Sequence, residues 1–444
     1  MAQRKLLKLV GVDVEGLFGI YDHRIDLNVD DRVTILHGPN GVGKTTILKM
    51  IDALMGNRLE YFGAVPFSRF RLRFVDGASL EVGPCRGAHS LDVVLVKDGE
   101  TAEAVTVDLS VPGRAASLVA DVPYMDRNPD GSDSWVDRRD GQVLSDWEIL
   151  REFGRRSSVV NFLPTPHEPL WLAEFLARGS VHLIETHRLE RRERGVIRRA
   201  VASRYAGAVR PSVLECGRDL QRRLNDAMAE FGRESQALDQ AFPVQLLSAA
   251  NEPALTNQEL EHRLAAVDDV TEELISLGIL NGPVGHELAK KGIVDYEGEA
   301  VAQVMTLYVK NAEQKLAVLR DLANRVRTLL GGVNSKFKHK RLRLDREKGL
   351  VAEGDAGPLA LDSLSSGEQH EIVLHYNLLF MVQPNTVVLI DEPEISLHVA
   401  WQKAFLGDLL AMAELSGFDA LIATHSPYIA GERTDLMVAL GDAT

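Results

Sequence analysis

Apolar and polar residues alternate with a period of two in "KLLKLVGVDV", "HRIDLNV" and "RVTILHG", which predicts β-strands within residues 5–36. "KTTILKMIDALM" changes to the helical period and predicts a helix over about 44–55, stopped by Gly56 and Asn57. From 68 to 110, "RFRLRFVDGASLEVG", "LDVVLVKDGE" and "AVTVDLSV" join β-branched alternation to Asp-Gly turns, the pattern of antiparallel hairpins. Residues 121–145 are rich in Asp, Gly and Pro and predict a surface excursion, while "SVHLIETHRL" at 180–189 predicts one more buried strand.

The pattern then turns helical across 190–335. Ala302, Met305, Val309, Ala312, Leu316, Leu319, Ala323, Val326 and Leu330 alternate spacings of three and four, a heptad seam sustained for four repeats. One continuous helix there would span ~42 Å. Val213, Cys216, Leu220, Leu224, Ala227 and Phe231 form a second, weaker stripe able to pair with it. A packed helical domain and a projecting coiled coil both fit. Strand patterning returns at 340–361, and "NTVVLIDEP" and "FDALIATHSP" read as parallel strands of an α/β sheet. The expected organisation is an α/β body, residues 1–189 and 336–444, split by a helical insertion at 190–335.

A net charge of −14 argues against a surface broadly coated for nucleic acid, without excluding a local basic strip. Two cysteines, Cys85 and Cys216, exclude a cysteine-ligated zinc site within one chain and fit a reducing compartment. Asp13 and Glu15 interrupt the first apolar run, a poor signal peptide, and no run approaches the ~20 residues of a membrane helix. A cytoplasmic location without membrane contact is expected.

"HGPNGVGKTT" places Gly38, Asn40, Gly41, Gly43, Lys44, Thr45 and Thr46 between an apolar strand and a helix, matching G-x-x-x-x-G-K-S/T. Glycines let backbone N–H groups converge on phosphate oxygens, and a helix N-terminus adds roughly +0.5 charge. Lys44 would bridge the β- and γ-phosphates, and Thr45 would hold Mg²⁺ through its hydroxyl. In "VVLIDEPEISLH", Asp391 ends four apolar residues, where its carboxylate would serve as a second Mg²⁺ ligand. Glu392 follows as the candidate acceptor of a proton from the attacking water. His425, ending "LIATH", stands where it would meet a γ-phosphate or that water.

"LSSGEQ" at 364–369 opens a helix with more polar residues than one N-cap needs. It resembles the signature motif of ABC-type ATPases in the form used by the SMC, RecF and double-strand-break-repair branch. The phosphate loop, "VVLIDEP", the following "SLH" and His425 complete the resemblance in order and spacing. The fold it implies is an ABC-type P-loop ATPase head with an antiparallel β subdomain and an inserted helical, coiled-coil-like domain. It further implies two heads in a head-to-tail homodimer around ATP and Mg²⁺. Ser366, Gly367 and Glu368 of one protomer would then face the nucleotide of the other. More narrowly, "LIDEPEISLHVAWQ", "ALDQAFPVQLL" and "LSSGEQHEIVL" resemble ATPases of bacterial anti-phage defence systems, including OLD-like, Septu-like and retron-associated members. OLD nucleases continue into a Toprim domain; this sequence stops at Thr444, so a nuclease or other effector is expected in trans or not at all. His187 replaces the family's Q-loop glutamine if the short alignment holds, and is otherwise an ordinary residue. Tyr21 stands in the region of an adenine-contacting aromatic, with a core or surface role as the simpler reading.

Two basic runs flank the insertion: eight Arg against two Glu over 187–210, and seven Lys or Arg over 336–348. A solvated face, a DNA or RNA contact and an acidic partner protein all fit them. The leading function is an ATP-hydrolysing dimeric switch in a defence system. The alternatives are a RecF-like repair clamp whose ATP gates DNA binding and, against the form of the signature, a transporter subunit. Acids at 267–274 fall in a helical polar pattern and read as a solvated face rather than a second metal site.

Overall fold

The computed structural model describes residues 7–85, 90–109, 124–128, 134–138, 143–145, 169–185, 212–248, 253–282, 298–396 and 399–441. Packing divides the chain into two compact units, residues 1–209 with 383–444, and residues 210–382. This division groups residues 336–382 with the helices; the sequence-based division at 335 follows instead the return of strand patterning.

The first unit holds a parallel sheet whose strands are nearly continuous apolar runs. Strands β3 (Val33–His37), β11 (Ser180–Glu185), β15 (Thr386–Asp391), β16 (Asp419–Thr424) and β17 (Met437–Ala439) lie in the order β11-β15-β16-β3-β17. Every residue of β15 and β16 is buried, as expected for strands covered on both faces. Of the predicted buried strand at 180–189, residues 186–189 lie outside the described residues; among the described residues β11 pairs only with β15, at the sheet edge, and among Val181–Ile184 only Ile184 is fully buried. Helix α1 (Lys44–Met55) follows β3 and packs against β11, β15 and β16.

An antiparallel sheet in the order β2-β1-β4-β5-β6-β7 is built from β1 (Leu9–Leu17), β2 (Tyr21–Asp26), β4 (Arg69–Phe74), β5 (Ser79–Pro84), β6 (Ser90–Lys97) and β7 (Glu100–Asp108). Alternation sorts its faces. On β4, Phe70, Leu72 and Phe74 point into the core, while Arg69, Arg71 and Arg73 form a ladder with Glu81, Asp13 and Asp26. Phe70 and Leu72 share one apolar core with Ile47, Leu48 and Ile51 of α1 and with Leu389 and Leu421 of the parallel sheet. Each such fully buried side chain contributes about 1.5–3 kcal/mol, so α1 is fixed between the sheets from both sides. Within the predicted excursion, the described residues form a small sheet of β8 (Met125–Arg127), β9 (Ser134–Asp137) and β10 (Val143–Ser145). Helix α2 (Leu170–Leu176) precedes β11. Helices α8 (Val399–Ser416) and α9 (Pro427–Ala430) complete the unit.

The second unit contains α3 (Val213–Ser248), α4 (Asn257–Ser276), α5 (Glu299–Ala317), α6 (Arg320–Asn334) and α7 (Ser366–Tyr376). Strands β12 (Lys340–Asp345), β13 (Gly349–Gly354) and β14 (Gly357–Leu359) form its antiparallel sheet. The single helix expected over 302–330 is two, broken at Val318 and Leu319. The seam residues still face inward, but toward different neighbours: α5 packs on α3 and α4, whereas α6 packs on α7 and β12. Two packing targets in different directions outweigh the continuity of the heptads. The stripe on α3 also divides its work. Val213, Cys216, Leu220 and Leu224 are buried where α3 packs on β13, and contact with α5 falls further along, through Glu234–Gln314, Asp239–Lys315 and Gln245–Asn311.

Candidate functional site

The C-terminal ends of β3, β15 and β16 converge on the loop 38–43. Gly43 caps α1 with φ 97°, and a Cβ there would lie 2.3 Å from the Leu17 side chain. Gly38 is required by packing, since a Cβ would meet the Leu440 carbonyl oxygen at 2.2 Å. Asn40 and Gly41 are exposed at the loop crest, and Thr46 is half-buried in the first helical turn. The loop is also tied from below: the buried His23 donates from Nε2 to the Val42 carbonyl across 2.9 Å. Tyr21 stacks on His23 with centroids 5.7 Å apart and packs on the core while half-buried.

Lys44 is 4% exposed. Its ammonium donates to the Gly38 and Pro39 carbonyls at 2.7 and 2.9 Å, and to His425 Nδ1 at 3.1 Å. An ammonium has three N–H donors and no acceptor, so these contacts use all of them and define the imidazole tautomer. Nδ1 accepts, Nε2 carries the proton, and Nε2 faces Glu392 Oε1 at 3.2 Å. Burial lowers the Lys44 pKa, and Glu392, Glu394 and Asp391 oppose that shift.

Thr45 Oγ1 donates to Asp391 Oδ1 at 2.8 Å. Two hard oxygen donors in contact at a helix N-terminus suit a small divalent cation, with Asp391 contributing charge and Thr45 a neutral oxygen. Glu392 has φ 46°, a left-handed conformation costly for a residue with a Cβ, and its N–H donates to the Ala423 carbonyl at 2.8 Å. That turn separates the two acids, Asp391 toward Thr45 and Glu392 toward His425. One residue that the sequence does not single out closes the arrangement. Glu394 Oε1 accepts from the backbone N–H groups of His425 and Ser426 at 2.7 and 3.1 Å. Within "DEPEIS" nothing separates Glu394 from a solvated acid; the distinction lies in the 3₁₀ turn Pro393–Ser396 that turns it back.

In the second unit, Ser365 is the N-cap of α7. Its hydroxyl accepts from Glu368 N–H, and the Glu368 carboxylate accepts from Ser365 N–H and Oγ, a complete capping box. Glu368 also binds Lys340 at 2.9 Å. Burial raises its pKa, but the bonds from Lys340 and Ser365 outweigh that and hold it below the ordinary carboxylate value. Gln369 fastens the preceding turn through the Asp362 and Leu364 carbonyls. Ser366 is exposed and Gly367 half-buried at the helix start. Of the polar residues in "LSSGEQ", Ser365, Glu368 and Gln369 therefore build the turn, and Ser366 is presented by it.

Three of the seven Lys or Arg in the basic run 336–348 are held in ion pairs. Lys336 pairs with Glu371 in the interior, Lys340 with Glu368, and Arg343 with Glu353. At 267–274, Val267, Thr271 and Leu274 face the interior, and Glu273 pairs with Arg327, in keeping with a solvated acidic face. His187 and the basic run 187–210, which includes Arg191, Arg192, Arg198 and Arg199, lie outside the described residues, as do Leu397 and His398 of "SLH".

Residues 12–124 match the family described as AAA domain. Residues 292–431 match the family described as AAA domain, putative AbiEii toxin, type IV TA system. Curated proteins provide no match. Among solved structures, an Smc head domain with an extended coiled coil bound to the C-terminal domain of ScpA, from Pyrococcus furiosus, overlaps at 13% identity and a TM-score of 0.39. It covers 99% of this chain and 95% of that one. The SMC head domain from Thermotoga maritima overlaps at 12% identity and a TM-score of 0.32, covering 97% and 94%.

Proposed function

We propose that the chain binds ATP with Mg²⁺ and hydrolyses it. One observation carries this reading: within a single unit, Lys44 and Thr45 at the start of α1 are joined to His425, Asp391 and Glu392 at the ends of two neighbouring strands. Ligands of open parallel sheets bind at that edge. The backbone N–H groups of 41–45 and Lys44 would hold the phosphates, and Thr45 with Asp391 would hold the metal. Bound Mg²⁺ supplies charge neutralisation on the phosphate oxygens. Glu392 takes the proton of the attacking water. His425, with Nε2 3.2 Å from Glu392 Oε1, would hold that carboxylate in place. With all three Lys44 donors engaged, a phosphate oxygen that takes one displaces a carbonyl or His425. Nucleotide arrival is thereby linked to the freedom of the His425 ring. Both AAA-domain matches, which together span residues of the phosphate loop, Asp391, Glu392 and His425, support the reading.

Ser366 and Gly367 fit a site completed by a second copy, with a hydroxyl and a helix N-terminus presented by a turn that Ser365 and Glu368 make rigid. The functional setting that the resemblance and the toxin–antitoxin description of residues 292–431 support is anti-phage defence, with an effector supplied by another polypeptide. The test is phosphate release from ATP by the purified chain, with Mg²⁺ and with excess chelator, with and without DNA. Release that requires Mg²⁺ supports the proposal, and no release under any condition overturns it.

A further inference from the structure

Beyond the phosphate and metal contacts, a closed circuit of hydrogen bonds ties the acidic loop after β15 to the turn after β16. Glu394 Oε1 grips two successive N–H groups, those of His425 and Ser426. Ser426 N–H is shared with Thr424 Oγ1 at 3.0 Å, and Ser426 Oγ donates to Gln402 Oε1 at 2.9 Å. Gln402 Nε2 returns to the Glu394 carbonyl at 3.3 Å. A carboxylate accepting from backbone N–H groups makes charge-assisted bonds, stronger than neutral ones. This one spans the 31 residues between positions 394 and 425. Its mechanical effect falls on His425, whose ring must reach Lys44 on one side and Glu392 on the other. A backbone free to turn by a few tens of degrees would break one contact or both.

We propose that Glu394 is a positioning residue, whose carboxylate fixes the His425–Ser426 turn and thereby holds the Lys44–His425–Glu392 chain in register. The kinetic part rests on the ATPase reading; the geometric part does not. An amide oxygen can accept the same two N–H groups, whereas a methyl group cannot, so Glu394→Gln and Glu394→Ala separate the grip from simple loss of charge.

The experiment compares both variants with the unmodified full-length chain. Each is checked for folding by circular dichroism, and nucleotide affinity is measured with a fluorescent ATP analogue. In Glu394→Ala, kcat falls ~10- to ~100-fold, the scale of a misplaced catalytic group, while analogue affinity stays within about threefold. Glu394→Gln recovers most of that loss. Independently of nucleotide, ¹⁵N spectra of histidine-labelled protein report the His425 tautomer, with the signal assigned by its disappearance in His425→Gln. The unmodified protein and Glu394→Gln show protonation at Nε2 alone, and Glu394→Ala shows a mixture. The proposal is overturned if Glu394→Ala keeps wild-type kcat and an unchanged His425 signal, or if Glu394→Gln is as impaired as the alanine variant. If the unmodified protein hydrolyses no ATP, the ATPase reading fails, and the histidine signals alone decide for or against the grip.

Discussion

His425 Nε2 faces Glu392 Oε1 at 3.2 Å. A glutamine at 392 still offers an oxygen to that nitrogen but cannot take a proton from water. Glu392→Gln is therefore expected to keep the fold and ATP binding while kcat falls by ~10²–10⁴, the usual cost of removing a general base. Pre-steady-state phosphate release with parallel binding measurements checks both halves. Hydrolysis at the unmodified rate would remove Glu392 from its assigned role.

Lys44→Ala removes the ammonium that bridges Gly38, Pro39 and His425, and nucleotide binding is expected to be lost. Ser366→Arg places a bulky cation at an exposed helix start and leaves the phosphate loop untouched. Each variant alone should be inactive, the second while still binding ATP. Mixed in equal amounts, the two should regain part of the activity, because a heterodimer contains one site with both defects and one with neither. Silence in a mixture shown by native mass spectrometry to hold heterodimers would overturn the head-to-tail arrangement.

Much of this geometry was legible in the sequence, and the reason is local. The phosphate loop needs left-handed glycines at fixed offsets, and a strand covered on both faces leaves a run such as "VVLI" with its acid at the end. Glu394 was not legible, because its partners are N–H groups 31 and 32 positions away and an isolated acid has no period. Nor was the break at Leu319. Heptad spacing reports which face is apolar, and it carries no record of what that face packs against.

The Cys216 thiol is fully buried, and desolvation, reinforced by Asp219 and Glu215, raises its pKa to about 12. Its folded pKa lies above the unfolded value, so the stabilisation is complete below ~8.5 and is lost as pH rises toward 12. The second unit should lose stability across that alkaline window. At pH 8, iodoacetamide should label Cys85 in the folded protein and reach Cys216 only on unfolding, as read by mass spectrometry of the two peptides. Fast labelling of Cys216 in the native protein would contradict the burial.

Tyr376 is fully buried, and its hydroxyl donates to Asp219 Oδ2, which also accepts from Arg223. Burial raises the Asp219 pKa, but the bonds from Tyr376 and Arg223 outweigh it and hold the carboxyl below its ordinary value. Tyr376→Phe preserves the stacking on Phe380 and deletes one charge-assisted bond. The expected loss is about 1–3 kcal/mol in denaturant unfolding. A loss below a few tenths would show that water replaces the hydroxyl at no cost.

The division of the seam at Leu319 also sets how the second unit should breathe. Helix α5 contributes Val309 to a small core of its own with Leu260 and Leu264, while α6 buries Val326 and Leu329 beside α7 and β12. An unbroken rod would share one opening free energy along its length. Two helices with separate sets of neighbours need not. Amide protons of 299–317 should exchange with deuterium as one cooperative group, and those of 320–334 as another, each with its own dependence on denaturant. The heptads would then be a continuous stripe of sequence crossing two independent folding units.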